Sequence, residues 1–571
     1  MRHSLASPPA GRRSPAALTL FAALFAACAT APRPAPAPER PPVAAPVAAA
    51  ARTAVILAIN DVYRIEGVEG GAAGGLARLR TLREELERER PDLLVLHAGD
   101  LLFPSLLSRV YAGEQMIDVL NRLDGDAAGF DPRLFAVFGN HEFDRGKAAD
   151  AAMLDERVEE SQFTWVSSNV VFDGGPEAAA PAVAAPNLRT SALVESGGLK
   201  VGIFGLTIDS TKPAYVDRFL EPLETARAAT AELRAAGAEV VVALTHLDWR
   251  DDEKILQTLG DAGPDLVVGG HDHERMTKWV GGRLLAKADA DARTASIARL
   301  TRHADGRLTV AQEFRALDEQ HVPSDPEVDA VVAGWLERHE QKLCGDLQLP
   351  MGCLEEVLGR TRTELVAEET AVRREETSLG NFVTDQMVAA LAACGAQAAF
   401  INSGTLRLNQ DLAAGSAITR RHLEELFGFP TPLRLIRLDG ATLAQVAQHA
   451  LEGWPGKGSW LQVAGFAFLH DPEAGTASRL TRLGPEGTRP LRPDEELLVA
   501  TTDFLLDPSS GQDGYTMLKA EMTVPCATAG RDLKDVVREA LAAAEPEGIA
   551  PRVEGRICRA PVAAPCLAVA N

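Results

Sequence analysis

LFAVFGNHEFD, residues Leu134–Asp144, decides how this 571-residue chain folds. An apolar run stops at Gly139, and Asn140, His141 and Glu142 follow at once. An apolar run with no polar alternation is buried on both faces, so it reads as an interior strand of a layered α/β fold. Polar side chains then gather in the loop at its carboxyl end, where open α/β sheets place ligands.

The same grammar recurs on either side. AVILAI (54–59) runs into Asn60-Asp61, and DLLVLHAG (92–99) into Asp100. EVVVALT (239–245) runs into His246, and DLVVGG (265–270) into His271-Asp272-His273. KVGIFGL (200–206) is a further strand, while GGLARLRTLREELERER (74–90) and GEQMIDVLNRLD (113–124) carry apolar residues at helical spacing. Strands alternating with helices predict an α/β sheet sandwich over residues 52–322. SDPEVDAVVAGWLERHEQKL, Ser324–Leu343, has a helix-start signal and an apolar stripe, so 323–343 is expected to be a linker helix. From 344 to 560 helical LGNFVTDQMVAALAACG and strand-like AAFIN, LRLIRLDG and ELLVATTDF indicate an α+β domain, with 561–571 as a tail.

Residues 1–51 stand apart. Arg2, Arg12 and Arg13 precede an apolar run that is long enough for a signal-peptide core and too short for a permanent span. Residues 1–28 are therefore expected to be an export signal, with cleavage before Cys28 and lipidation of its thiol as the membrane link. The Pro/Ala-rich 29–51 reads as a tether. This places the protein in the periplasm or cell envelope. Cys344 and Cys353 are the cysteines most easily joined locally in such a compartment, and no two cysteines have zinc-finger spacing.

Hydrophobic residues make up 46% of the chain and charged ones 24%, values of a globular protein. The formal net charge of −22 excludes a nucleic-acid polymer as partner, whereas a small phosphate compound can still be held by metals or a few arginines. A monomer or weak dimer is expected.

Any one Asp or His after a strand is ordinarily a turn, a cap or a satisfied polar group. Five strand ends delivering Asp61, Asp100, Asn140, His246, His271 and His273 to one rim point to a metal site. Carboxylate, amide oxygen and imidazole together suit zinc, manganese or iron and not calcium. Two such ions, divalent or of mixed valence and about 3.5–4 Å apart, hold a nucleophile and a phosphoryl oxygen together, with Asp100 as the bridge.

GD, GNHEFD, TH and GGHDH, in this order, resemble the calcineurin-like metallophosphoesterases, and specifically the 5′-nucleotidase and UDP-sugar hydrolase branch. The resemblance implies an N-terminal four-layer α/β/β/α sandwich with a C-terminal α+β substrate-binding domain. It implies that Asp61, Asp100 and His273 serve a first metal, and Asp100, Asn140, His246 and His271 a second. His141, held by Asp144, is expected to stabilise the transition state or protonate the leaving group. The chain departs from the family at Tyr63, where a ligand histidine usually stands. A phenol must lose a proton before it ligates, so two readings stay open: a phenolate on ferric iron, or a phenol that packs and hydrogen-bonds.

In the second domain, RREETSLGNFVTDQM, INSGTLR, GSWLQVAG and TTDFLLDPSSGQDGY resemble the family's substrate-binding half. Arg373 and Arg407 match nucleotide-contacting arginines, Asn402 a base- or sugar-contacting asparagine, and Tyr515 the second of two rings that sandwich the base. Pro432 or Leu433 holds the first ring's place, with Phe429 nearby. The expected substrate is a small phosphate ester of a nucleotide, including UDP-sugars or cyclic nucleotides. The alternatives are another phosphorus or sulfur ester on the same centre, or a lipid-tethered binding protein with weakened turnover.

Overall fold

The computed structural model describes residues 51–173, 182–452, 454–508 and 511–568. The expected signal 1–28 with Cys28, and the tether up to residue 50, lie outside the described residues.

Two sheets stack face to face in the first domain. One runs in the order Leu308–Ala316, Thr294–Arg302, Arg52–Ile59, Leu94–His97, Leu134–Ala136, Thr164–Val166, Leu188–Arg189. The other runs Met276–Val280, Arg283–Lys287, Leu266–Gly269, Val240–His246, Leu199–Thr207, Ser191–Ser196. Because side chains alternate along a strand, Arg52–Ile59 serves two cores at once. Ala54, Ile56 and Ala58 pack between the sheets, while Val55, Leu57 and Ile59 face the helices. On that outer face the helix Leu76–Glu89 lays down Leu76, Leu79, Leu82 and Leu86, one apolar stripe. Helices Pro222–Ala235 and Trp249–Leu259 cover the outer face of the second sheet. The result is the four-layer α/β/β/α sandwich. Each fully buried Leu or Ile in it contributes on the order of 1.5–3 kcal/mol.

Strand register is what aligns the chemistry. Ile59 pairs with His97 and His97 with Ala136, so three parallel strands end level with one another. In the second sheet Thr245 pairs with Gly269. Asp61, Asp100 and Asn140 therefore leave the first sheet at the same rim at which His246 and His271 leave the second.

The helix between the domains spans Pro326–Asp346, shifted from the expected 323–343. Its N-cap is Asp325, whose carboxylate accepts the N–H groups of Glu327 and Val328, with Pro326 supplying the first-turn φ. It is more than a spacer: Val328, Val332 and Trp335 sit in the first domain's core, and the Trp335 indole donates to Asp118 at 2.8 Å.

The second domain is α+β. Its main sheet runs Leu433–Asp439, Glu496–Thr502, Ala398–Asn402, Leu461–Ala464, with helices Ser378–Ala390 and Leu533–Ala543 packed over its core. A second four-stranded sheet contains Phe466–Asp471. Cys344 is bonded to Cys353, as its spacing suggested, and Cys394–Cys526 and Cys558–Cys566 are joined as well. Among the described residues no helix is long and apolar enough to cross a membrane.

Candidate metal centre

Four of the expected ligands stand on backbone that L-residues avoid. φ is +51° at Asp61, +55° at Asp100, +81° at His271 and +62° at His273. Each such residue costs on the order of 1–3 kcal/mol, strain that clusters at functional sites. The loops also come too close for side chains between them. A Cβ on Gly139 would lie 2.1 Å from Asp100 Oδ1, and one on Gly270 2.3 Å from the Ala98 carbonyl oxygen, so only glycine fits at either.

The structure brings all six expected ligands together. Ligand atoms of Asp61, Asp100 and His273 lie within 4.8 Å of one another. His246 Nε2 is 3.3 Å from Asp100 Oδ2 and 3.2 Å from Asn140 Oδ1, and His271 Nδ1 is 3.0 Å from the same Asn140 oxygen. His273 Nε2 is 3.3 Å from Asp61 Oδ1.

Hydrogen-bond chemistry shows what fits there. His246 Nδ1 faces the carbonyl oxygen of Ala98 at 2.8 Å, and a carbonyl can only accept, so Nδ1 carries the proton. In neutral imidazole Nε2 is then a lone pair aimed at two oxygens. His273 repeats the arrangement: Nδ1 donates to the Glu369 carboxylate at 2.8 Å, leaving Nε2 facing Asp61. A ring nitrogen facing oxygen acceptors needs positive charge between them, a proton or a cation, and the donor set suits a zinc-, manganese- or iron-class ion. The electrostatics draw positive charge strongly to both positions, as a proton on the ring or as the cation that displaces it. Burial pushes His246 and His273 down, but carboxylates outweigh it, those of Asp100 and Asp61 at His246 and of Glu369 and Asp61 at His273. His246 rises to about 9 and His273 to about 10. Asp100 is held below the usual carboxylate range: burial opposes this, and His246 and His141 overcome it.

Tyr63 sits in the first cluster. Its hydroxyl is 2.9 Å from His273 Nε2 and donates towards Asp100 Oδ2 at 3.1 Å. Burial, then the Asp100 and Asp61 charges, push the phenol well above 10, so it is neutral here.

His141 lies beside the cage. Its main-chain N–H donates to Asp100 Oδ1 at 2.8 Å, and its Nδ1 meets Asp144 Oδ1 at 2.9 Å. Burial lowers its pKa, but Asp144 and Asp100 more than compensate, and the net shift is upward.

The substrate-side residues are less gathered. Arg407 and the half-exposed Phe429 line one cleft together with Tyr63 and Glu369. Arg373 adjoins it through an ion pair to Glu369 and also donates to the Gly456 carbonyl. Asn402 is buried, donating to Asp513 at 2.7 Å and accepting from Thr405. Tyr515 departs from its expected part as an open stacking ring. It is fully buried, its hydroxyl donates to the Ser459 carbonyl, and the His449 ring meets it edge-on with centroids 4.5 Å apart.

Three residues that shape the site carried no separate signal of their own. Glu142, inside the quoted motif, accepts the N–H groups of Asp100, Leu101 and Leu102 at 3.0, 2.7 and 2.9 Å and so fixes the loop carrying Asp100. Burial and the Asp100 charge raise it to about 7 despite those donors. Lys287, fully buried, donates to the carbonyls of Leu247 and Gly270 and pairs with Asp252 and Asp272, tying the His246 loop to the HDH loop. Glu369 comes from the second domain.

Comparison with known proteins agrees with this geometry. Residues 54–275 match the family model of calcineurin-like phosphoesterases, and residues 357–520 that of the 5′-nucleotidase C-terminal domain. The 5′-nucleotidase of Homo sapiens is 25% identical over 521 residues, covering 82% of this chain and 84% of that protein. The structure of a 5′-nucleotidase precursor from Thermus thermophilus superposes with a TM-score of 0.73 at 25% identity, covering 89% of this chain and 99% of the other. A sulfate thiohydrolase from the same organism shares the fold, with a TM-score of 0.67 at 17% identity over 89% of this chain and 96% of the other. The chain belongs to the calcineurin-like metallophosphoesterases with a 5′-nucleotidase C-terminal domain, and it is a metal-dependent phosphoric ester hydrolase.

Proposed function

We propose that this family member is an exported 5′-nucleotidase that holds two metal ions at the shared rim and releases phosphate from nucleotides. The observation that carries the reading is the convergence of six donor side chains at one rim, with Nε2 of His246 and of His273 each 3.3 Å from a carboxylate oxygen. Asp61, Asp100 and His273 hold the first ion; Asp100, Asn140, His246 and His271 hold the second. Such ions supply Lewis acidity to the phosphate ester and to the attacking water. His271 is suited to its part because burial, and then the neighbouring His246, keep its imidazole neutral.

The chain's own residues do the rest. His141, whose hold on a proton is strengthened by Asp144 and Asp100 against the effect of burial, delivers a proton to the leaving oxygen. Arg407 pairs with phosphate and Phe429 offers a half-exposed ring to the base at the mouth of the same cleft. Tyr63 serves as a hydrogen-bonding phenol that steadies Asp100 and His273, its neutral form suiting a divalent ion. Arg373, Asn402 and Tyr515 complete the substrate face once their present partners are exchanged for ligand. Export is supported by three disulfides among the described residues, which persist in an oxidising compartment. A lipid on Cys28 would then hold the enzyme at the envelope.

The test is elemental analysis of the isolated protein beside a panel of phosphate esters. Two equivalents of metal and faster phosphate release from AMP than from ribose 5-phosphate are expected. Equal rates on the base-free ester would remove the nucleotide assignment, and metal binding without turnover of any ester would remove the hydrolase. Iron-loaded protein with a visible charge-transfer band would show that Tyr63 ligates.

A further inference from the structure

The two expected metal sites draw on different parts of the chain. Asp100, Asn140, His246 and His271 all come from the first domain, and the ring of His246 is oriented from within it, by the Ala98 carbonyl. His273 is different. Its Nδ1 meets Glu369 Oε2 at 2.8 Å, and Glu369 lies 96 residues further on, in the second domain.

Glu369 is held for this contact. It is buried at the start of the short helix Glu369–Val372, its main-chain N–H donates to Asn409 Oδ1, and its other carboxylate oxygen is ion-paired with Arg373. Asn409 in turn donates to Asp291, which accepts the Tyr63 N–H at 3.0 Å. One carboxylate thus reaches the metal rim already braced from both domains. A carboxylate accepting from one imidazole nitrogen fixes the tautomer and aims the other nitrogen, and it makes that nitrogen a better donor.

We propose that Glu369 is the positioning residue of the first metal site, so that the second domain completes one of the two sites and leaves the other self-contained. This rests on the reading of His273 as a metal ligand. Loss of Glu369 then weakens one equivalent of metal and spares its neighbour, a split that general destabilisation does not produce.

The experiment is Mn²⁺ titration of the metal-free full chain, with free Mn²⁺ read by electron paramagnetic resonance and heat by calorimetry. The proteins are the unaltered one, E369A, E369Q, R374A and H273A. E369A is expected to bind one Mn²⁺ about 10–100-fold more weakly while the other equivalent holds its affinity. E369Q, whose amide oxygen still accepts the imidazole proton, loses less, and carries the test if E369A folds poorly. Arg374 pairs with Glu274, next to His273, across the same boundary without touching the ring. R374A is therefore expected to bind as the unaltered protein does. The proposal is overturned if E369A and E369Q bind both equivalents normally, or if R374A weakens binding as much as E369A, which would make domain docking the cause. A failure of the underlying reading looks different: H273A would leave both equivalents unchanged, or the unaltered protein would bind no Mn²⁺.

Discussion

Two pairs of largely buried carboxylates meet at the HDH loop, and they are neutralised in opposite ways. Asp252 and Asp272 share Lys287, whose Nζ is 2.8 Å from the first and 2.5 Å from the second. Asp61 and Asp100 are fully buried, yet their cationic partners among the described residues are histidines. Carboxylates taken out of water need positive charge beside them, since the desolvation penalty is several kcal/mol per ion. In one pair the chain carries that charge permanently on a lysine. In the other the neighbours are histidines, whose proton can give way to a metal, so only the second pair can do chemistry that depends on an exchangeable cation.

The sharpest test of the difference is D100N, which keeps the shape of the bridge and removes its charge. We expect phosphate-ester turnover to fall roughly 10⁴-fold, about 5.5 kcal/mol, with loss of bound metal by elemental analysis. A variant that keeps both ions would break the contrast. K287M is next, because it strands two carboxylates that have little water to turn to. It should destabilise the fold by about 3–5 kcal/mol in urea unfolding; near-normal stability would mean that these carboxylates do not need a built-in cation. Metal removal should show the complementary effect. Chelation is expected to lower unfolding free energy by about 2.7 kcal/mol for each ion removed, relative to protein in metal at one hundred times its Kd, and to leave the disulfide-linked second domain's own melting unchanged.

The smallest effect lies away from both pairs, at His339 on the interdomain helix. Both of its ring nitrogens are buried without hydrogen-bond partners, and burial, then Arg109 and Arg421, depress it to about 4. Unfolded, the same histidine titrates near 6.5. Between those values the unfolded chain binds a proton that the folded one does not, so this contribution is intact above pH 6.5 and declines as pH falls towards 4. We expect H339L to flatten the loss between pH 6.5 and 5 by about 1–2 kcal/mol, read from urea midpoints.

What the sequence revealed follows the same division. Strand ends and their ligands were legible because a both-faces-buried strand has a distinctive pattern and each metal donor follows one directly. Lys287 was not, since a lysine closing the strand RLLAK reads as an exposed edge charge until its carboxylate partners are located. Glu369 stands in an acidic stretch, AEETAV, where nothing local separates it from Glu368. Its role comes from a contact spanning 96 residues, information that periodicity does not hold. Cys394–Cys526, separated by 132 residues, was hidden for the same reason, whereas Cys344–Cys353 needs only a short loop. The motif around Tyr515 gives residue type and not accessibility, so the burial of its ring was not legible there.

The helix Pro326–Asp346 sets where the molecule can bend. With Val332 and Trp335 sunk in the first core, its amino-terminal half is a fixed doorpost and not an axle. Any swing of the second domain must turn beyond it, near the small ring closed by Cys344 and Cys353, and would lift Glu369 off His273 as the door opens.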